Sequence, residues 1–247
     1  MTTLPTVDPG FSTDAMAAVF SPGARVAAMC RVEGALARAS AVAGVVPADI
    51  AERIGGVCAD GVDDPAAVMV EGWEAGTPVL PLLTRLRARL DDEAARWLHH
   101  GATTQDVVDT AAMLQAQEAL ACLRRDLVGL AGDLRQVVDQ HRATPAEAWT
   151  FLQPAVPTTV GRRAAGWLAP VVTHLADLRE QSGALPVQLG GPTGTLDALG
   201  EPATAVVAAL ADDLGLTVPP LPWHTDRTAV VRLAAGLQQV ARTAATI

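Results

Sequence analysis

The chain has 247 residues, 50% of them hydrophobic and 18% charged, with 18 basic against 27 acidic side chains and a formal net charge of −9. At roughly 100–200 residues per domain this length holds one or two domains with a real core, and the charge balance excludes the clustered cations of a polyanion-binding surface. Every basic residue is arginine, and the absence of lysine excludes Schiff-base, pyridoxal phosphate and P-loop chemistries, each of which needs one.

The first ten residues, MTTLPTVDPG, contain no basic segment followed by an apolar one, so no signal peptide is predicted, and no run reaches the ~18 apolar residues of a membrane span. Ser12-Thr13-Asp14 are good N-cap types, and Met16, Val19, Val26, Met29, Val32 and Leu36 follow at mostly helical spacing. Helices are therefore predicted over 12–43, broken near Ser21-Pro22-Gly23. Pro47-Ala48-Asp49 begins a short helix, and Pro78 to Leu90 a further one with Leu82, Leu83, Leu86 and Leu90 on one face. Cys30, Cys58 and Cys122 are odd in number and never form a C-x-x-C pair, which fits reduced thiols in a cytoplasmic protein.

The strongest periodicity comes next. Met113, Ala116, Leu120, Leu123, Leu127, Leu130, Leu134 and Val137 alternate steps of three and four, predicting one helix from about Gln105 to His141. At 1.5 Å per residue it is on the order of 50 Å long and must pack in a bundle. A second helix is expected from Pro157, carrying Leu168, Val172, Leu175 and Leu178 and kinked at Pro170. A third spans Thr204–Leu214, and a fourth begins after Thr225 and is expected to run on to Ile247 without a stop signal. No β-alternation is seen. The expected fold is all-α: a small helical N-terminal domain over residues 1–104, then a long-helix bundle over 105–247 that is incomplete.

Three polar islands interrupt this apolar pattern. The first, His99-His100-Gly101-Ala102-Thr103-Thr104-Gln105-Asp106, immediately precedes the longest helix. Thr103 and Asp106 match a capping box, while Thr hydroxyls, a glycine turn and free helix amides also make a carboxylate site. His99 is the nearby group able to act as acid, base or hydrogen-bond donor. The second island, Trp149 to Gly161, is a proline-punctuated loop entering a helix, with Thr150, Gln153 and Thr158 as its polar side chains. The third is Gly190-Gly191-Pro192-Thr193-Gly194-Thr195, which is neither G-x-G-x-x-G after a strand nor a Walker loop. Pro222-Trp223-His224-Thr225 adds another histidine at a helix entrance, with Arg227 beside it. No metal-ligand spacing occurs, and no G-x-S-x-G supports a serine hydrolase.

These motifs, in this order, resemble the fumarase/aspartase superfamily and most closely its 3-carboxy-cis,cis-muconate cycloisomerase branch. The likeness begins at Phe11-Ser12-Thr13-Asp14, passes through Glu33, Ala35, Leu36 and Ala75-Gly76-Thr77-Pro78, and is most specific at His99–Ala111. It continues in Thr150–Gly161, Gly190-Gly191 with Gly194-Thr195-Leu196, and Leu216–Thr225. Phe151 separates the branches, because lyases acting on adenylosuccinate or argininosuccinate typically carry histidine in that slot. Adenylosuccinate lyase is therefore the alternative. The chain departs from the family at Trp149, where arginine is usual, and at Thr228, where aspartate is usual.

The resemblance implies an intramolecular lyase that closes a γ-lactone by adding a carboxylate across a double bond, in aromatic catabolism, with no metal or organic cofactor. It implies His99 and Thr104 as catalytic residues, with Thr103, Gln105, Thr150, Gln153, Thr158, Gly194, Thr195, His224 and Arg227 binding substrate. Its expected partners are a small carboxylated substrate and further copies of the chain in a cytoplasmic homotetramer, with neither nucleic acid nor membrane. The family's glycine-serine loop ending in M-P-x-K-x-N, which supplies the usual general base, does not occur in these 247 residues. Two expectations follow: an N-terminal portion of a cycloisomerase, inactive without that loop, or a complete, non-catalytic helical protein that assembles through its bundle face.

Overall fold

The computed structural model of the chain describes residues 12–247; the decapeptide and Phe11 of the leading motif lie outside the described residues. The helices α1 (Asp14–Val19) and α2 (Pro22–Val42) are separated where the Ser-Pro-Gly sequence predicts. The Ser21 hydroxyl accepts the Ala24 amide at 3.1 Å and Pro22 fills the first turn, so the break is a helix start. The expected helices at 47 and 78 are α3 (Ala48–Asp60) and α5 (Val79–Arg87). Two more lie beside them, α4 (Pro65–Ala75) and α6 (Asp92–Trp97), capped by the carboxylates of Asp64 and Asp91. Periodicity does not reveal them, because α4 buries only Val68 and Gly72 and α6 is barely one and a half turns.

The long helix α7 spans Thr104–Gln140, 37 residues, within one residue of the expected bounds at each end. Beyond it the expected pattern changes. Pro145–Ala146 (β1) pairs antiparallel with Thr158–Thr159 (β4), and Trp149–Thr150 (β2) with Gln153–Pro154 (β3). Two-residue strands are too short to show alternation, so the all-α expectation holds with this small exception. They also move the next helix, α8, from the expected Pro157 to Val160–Gly183, because Thr158 and Thr159 are held in the ladder. Pro170 lies inside α8 without ending it. The helix α9 is Ala203–Leu214; α10 is Thr228–Ala244, ending three residues before Ile247 rather than running through it.

The chain divides into two compact units. The first combines the chain through Ala119 with Gly183–Arg227. Its core joins Met29, Val32 and Leu36 of α2 to Ile50 and Ile54 of α3, Leu82 and Leu86 of α5, Val107, Ala111 and Leu114 of α7, and Val206 and Leu210 of α9. Burying each large aliphatic side chain contributes about 1.5–3 kcal/mol, which is why α3, α5 and α9 are held as helices although each is short. The second unit combines Leu120–Ser182 with Thr228–Ile247. Leu120, Leu127 and Leu134 of α7, Ala164, Val171 and Leu178 of α8, and Val240 of α10 are its buried apolar side chains among the described residues. His174 Nε2 of α8 lies 2.8 Å from Thr243 Oγ1 of α10. No helix among the described residues is long and apolar enough to cross a membrane.

Candidate active site

In the first unit three segments distant in sequence meet on one carboxylate. Asp106 sits in the first turn of α7 and is 1% exposed. Its Oδ2 accepts the amide N–H of Thr103 at 2.9 Å and of Gly191 at 2.9 Å. Its Oδ1 accepts the side-chain amide of Gln188 at 2.9 Å and the backbone N–H of Gly190 at 3.1 Å, and lies 2.7 Å from His224 Nε2. The Thr103 contact is the carboxylate half of the expected capping box. The other four make the same side chain the anchor of the glycine turn and of the His224 loop. A carboxylate this buried requires such a set of donors.

Two further contacts hold the same segments. Thr110, one turn beyond Asp106, donates its hydroxyl to the Gln188 carbonyl at 2.9 Å and accepts the Gln188 amide at 2.8 Å. The Gln188 side-chain oxygen accepts the Trp223 amide at 2.7 Å, and the Trp223 indole donates to the Val187 carbonyl at 2.8 Å. Gln188 thus turns one end of its amide to Asp106 and the other to the His224 loop. Asp109 takes Arg227 in a bidentate pair at 2.7 and 2.9 Å, with the guanidinium 5.0 Å above the Trp223 ring. Hydrogen bonding to Asp109 holds Arg227 still further toward its charged form.

His99 is fixed by a second carboxylate. Its Nδ1 lies 2.7 Å from Oε1 of Glu33, whose side chain is fully buried in α2. The residue has φ 67°, a left-handed conformation that costs a non-glycine residue roughly 1–2 kcal/mol. Two residues on, Gly101 has φ +76°, and a Cβ there would lie 2.5 Å from Leu199 of the segment that follows the glycine turn. Gly191 approaches the Gly101 carbonyl so closely that its own Cβ would be 3.1 Å away. The first and third islands are therefore in backbone contact.

The site residues expected from sequence fall into two groups. His99, Thr103, Thr104, Gln105, Gly194, Thr195, His224 and Arg227 belong to the first unit. Thr104 opens α7 and is half-buried, Gln105 is exposed, and Thr195 is exposed with its hydroxyl 2.9 Å from that of Thr193. Gly194 has φ +80°, the left-handed turn for which glycine is suited. Thr150, Gln153 and Thr158 belong to the second unit, where Thr150 faces Gln153 across the β2–β3 ladder and Thr158 faces Ala146 across β1–β4.

Sequence reasoning missed Asp106 as a hub, together with Asp109, Gln188 and Glu33. A signal existed for the first two: Asp106, Asp109 and Thr110 recur at helical spacing on one face, among positions otherwise apolar. Glu33 is a single carboxylate in the middle of an apolar helix. Nothing local marks Gln188.

The chain is 42% identical over 238 residues to a 3-carboxy-cis,cis-muconate cycloisomerase of Pseudomonas aeruginosa, covering 95% of this chain and 52% of that protein. Among solved structures, a 3-carboxy-cis,cis-muconate lactonizing enzyme from Pseudomonas putida matches with TM-score 0.88 and 39% identity, over 94% of this chain and 54% of that one. A fumarate lyase from Mesorhizobium sp. BNC1 matches with TM-score 0.89 and 36% identity, over 94% and 55%. The chain spans about half the length of the curated relatives it matches. The family model described as Lyase covers residues 10–245, and with fumarase-like neighbours in structure the chain belongs to that lyase family.

Proposed function

We propose that the chain carries the carboxylate-binding part of a cycloisomerase that converts a 3-carboxymuconate-type diene into a γ-lactone. The observation that carries this reading is the convergence on Asp106. One buried carboxylate fixes the amide-rich start of α7, the glycine turn and His224 together in a single unit. In this reading Thr103, Thr104 and Gln105, with the free amides of the first turn, bind a substrate carboxylate. Gly194 and Thr195 line the same pocket.

One substrate carboxylate oxygen attacks the distal carbon of a double bond, and a proton enters at the carbon next to a second carboxylate. The charge that develops between these events spreads onto the second carboxylate's oxygens, where hydroxyls and helix amides stabilise it. His99, oriented through Nδ1 by Glu33, and His224, oriented by Asp106, are the side chains that handle protons. Arg227 braces the His224 loop through Asp109 and adds positive charge. Thr150, Gln153 and Thr158 of the second unit keep the substrate-binding role that the family resemblance alone implies, and no cofactor enters the scheme. The reading includes a cytoplasmic homotetramer and, on the family's serine-bearing loop, the general base of ring opening, which gives the proton back on ring closure; these 247 residues do not contain that loop.

The test is a chimera joining this chain to the downstream half of the Pseudomonas aeruginosa relative, assayed by loss of diene absorbance with 3-carboxy-cis,cis-muconate. Turnover supports the reading, and Thr104→Ala in the chimera is expected to lower kcat about 100-fold or more with helicity intact. An unchanged rate removes the carboxylate-site assignment. Turnover of adenylosuccinate instead of the diene replaces the reading with the β-eliminating alternative.

A further inference from the structure

The contacts of Asp106 also decide which nitrogen of His224 carries the proton. Four of its five partners, the amides of Thr103, Gly190 and Gly191 and the side-chain NH2 of Gln188, can only donate. The Gln188 amide is itself oriented, because its oxygen accepts the Trp223 N–H at 2.7 Å and so its nitrogen must face Asp106. Both oxygens of Asp106 are therefore acceptors, and the 2.7 Å contact with His224 Nε2 is satisfied by a proton on that nitrogen. The ring cannot easily drift from this position. A Cβ at Gly190 would lie 2.8 Å from His224 Cε1 and 2.8 Å from Pro222 Cβ, so the imidazole lies directly over a backbone that has no side chain. Of the charged groups around this loop, Arg227 is engaged by Asp109 and reaches the His224 carbonyl rather than its ring, at 3.5 Å.

We propose that Asp106 is a positioning residue that fixes His224 as its Nε2–H tautomer, leaving the Nδ1 lone pair as the proton-accepting atom of the ring. A helix-capping carboxylate and a functional histidine 118 residues away would then form one device. Asp106 sets the start of α7, where the substrate carboxylate is expected, and the same side chain sets the direction from which His224 accepts or returns a proton. Asparagine at position 106 would present one NH2 donor among these donors, so it cannot reproduce the arrangement. The inference rests on the reading of His224 as a proton-handling residue, but its test does not require turnover.

The test uses the 247-residue chain with 15N-labelled histidine, and His224→Gln assigns the ring among the five histidines. In long-range 1H–15N spectra of the neutral ring, His224 is expected to carry its proton on Nε2 alone. That proton should exchange with water at least tenfold more slowly than in Asp106→Asn, and Gly190→Ala, which displaces the ring and keeps the carboxylate, should show the same loss. A proton on Nδ1 in the unmodified chain overturns the proposal, and so does an exchange rate unchanged in Asp106→Asn. Should Asp106→Asn fail to fold, the unmodified chain and Gly190→Ala decide. A chimera inactive on the diene with the Nε2–H signature intact removes the cycloisomerase reading and leaves Asp106 in its role.

Discussion

Cys30 and Cys58 are both buried, and their chemistry follows from that. Burial, with the charge of Glu33 adding to it, pushes the Cys30 thiol up to about 11; the same causes raise Cys58. Below roughly pH 8.5 the thiol is protonated in both the folded and the unfolded chain. Between there and about 11 the unfolded chain releases the proton and the folded chain keeps it, so stability falls as pH rises. Urea midpoints measured from pH 7.5 to 10 should decline, and less steeply in Cys30→Ala. In the native chain a disulfide-exchange reagent should titrate Cys122, which is half-buried, before the other two, which react on unfolding. Two glycines in left-handed turns make a second contrast between single residues. Gly44 has φ +75° and open space where a methyl group would stand, while Gly101 has φ +76° with Leu199 in the way. Alanine at 44 is expected to cost about 1 kcal/mol of strain, and alanine at 101 about 2–4 kcal/mol, because displacement of Leu199 is added. Equal losses in urea unfolding would show that the contact with Leu199 relaxes without cost.

Among the elements, α2 and α7 were legible in the sequence for different reasons. The start of α2 is announced by local chemistry, a serine cap followed by proline, and Ser21→Ala should lower stability by about 1 kcal/mol in a urea melt. The course of α7 is announced by eight apolar positions in register, and Leu120, 1% exposed, should cost about 2–5 kcal/mol when cut to alanine. Where both signals are weak the reading failed. The ladders of 145–159 replaced the first turn of the expected helix at Pro157, since Thr158 and Thr159 find partners in Pro145 and Ala146 that no local pattern reveals. The candidate site divides the same way. His99, Thr103, Thr104 and His224 stand out as polar residues at helix entrances. Gln188 was invisible because its role is to join Asp106 to Trp223, and neither partner is near it in sequence.

For the whole molecule, acidic residues outnumber basic ones, and much of the positive charge there is lies beside carboxylates. Arg38 pairs with Asp213, Arg53 with Asp49, Asp91 and Glu93, Arg85 with Glu71, and Arg89 with Asp60. The chain should therefore pass unretained through a heparin column at physiological salt, and retention would reveal a cationic surface not evident in these pairs. The two units are also interleaved along the chain, each made of two separated stretches. Asp106 and His224 lie 118 residues apart, so during synthesis at about 5–20 residues per second the aspartate waits roughly 6–24 s for its histidine. Until then Asp106 has the local amide of Thr103 as its donor, joined by those of the glycine turn once residue 191 has emerged. The carboxylate that organises the finished site is thus among the last features of its unit to become secure.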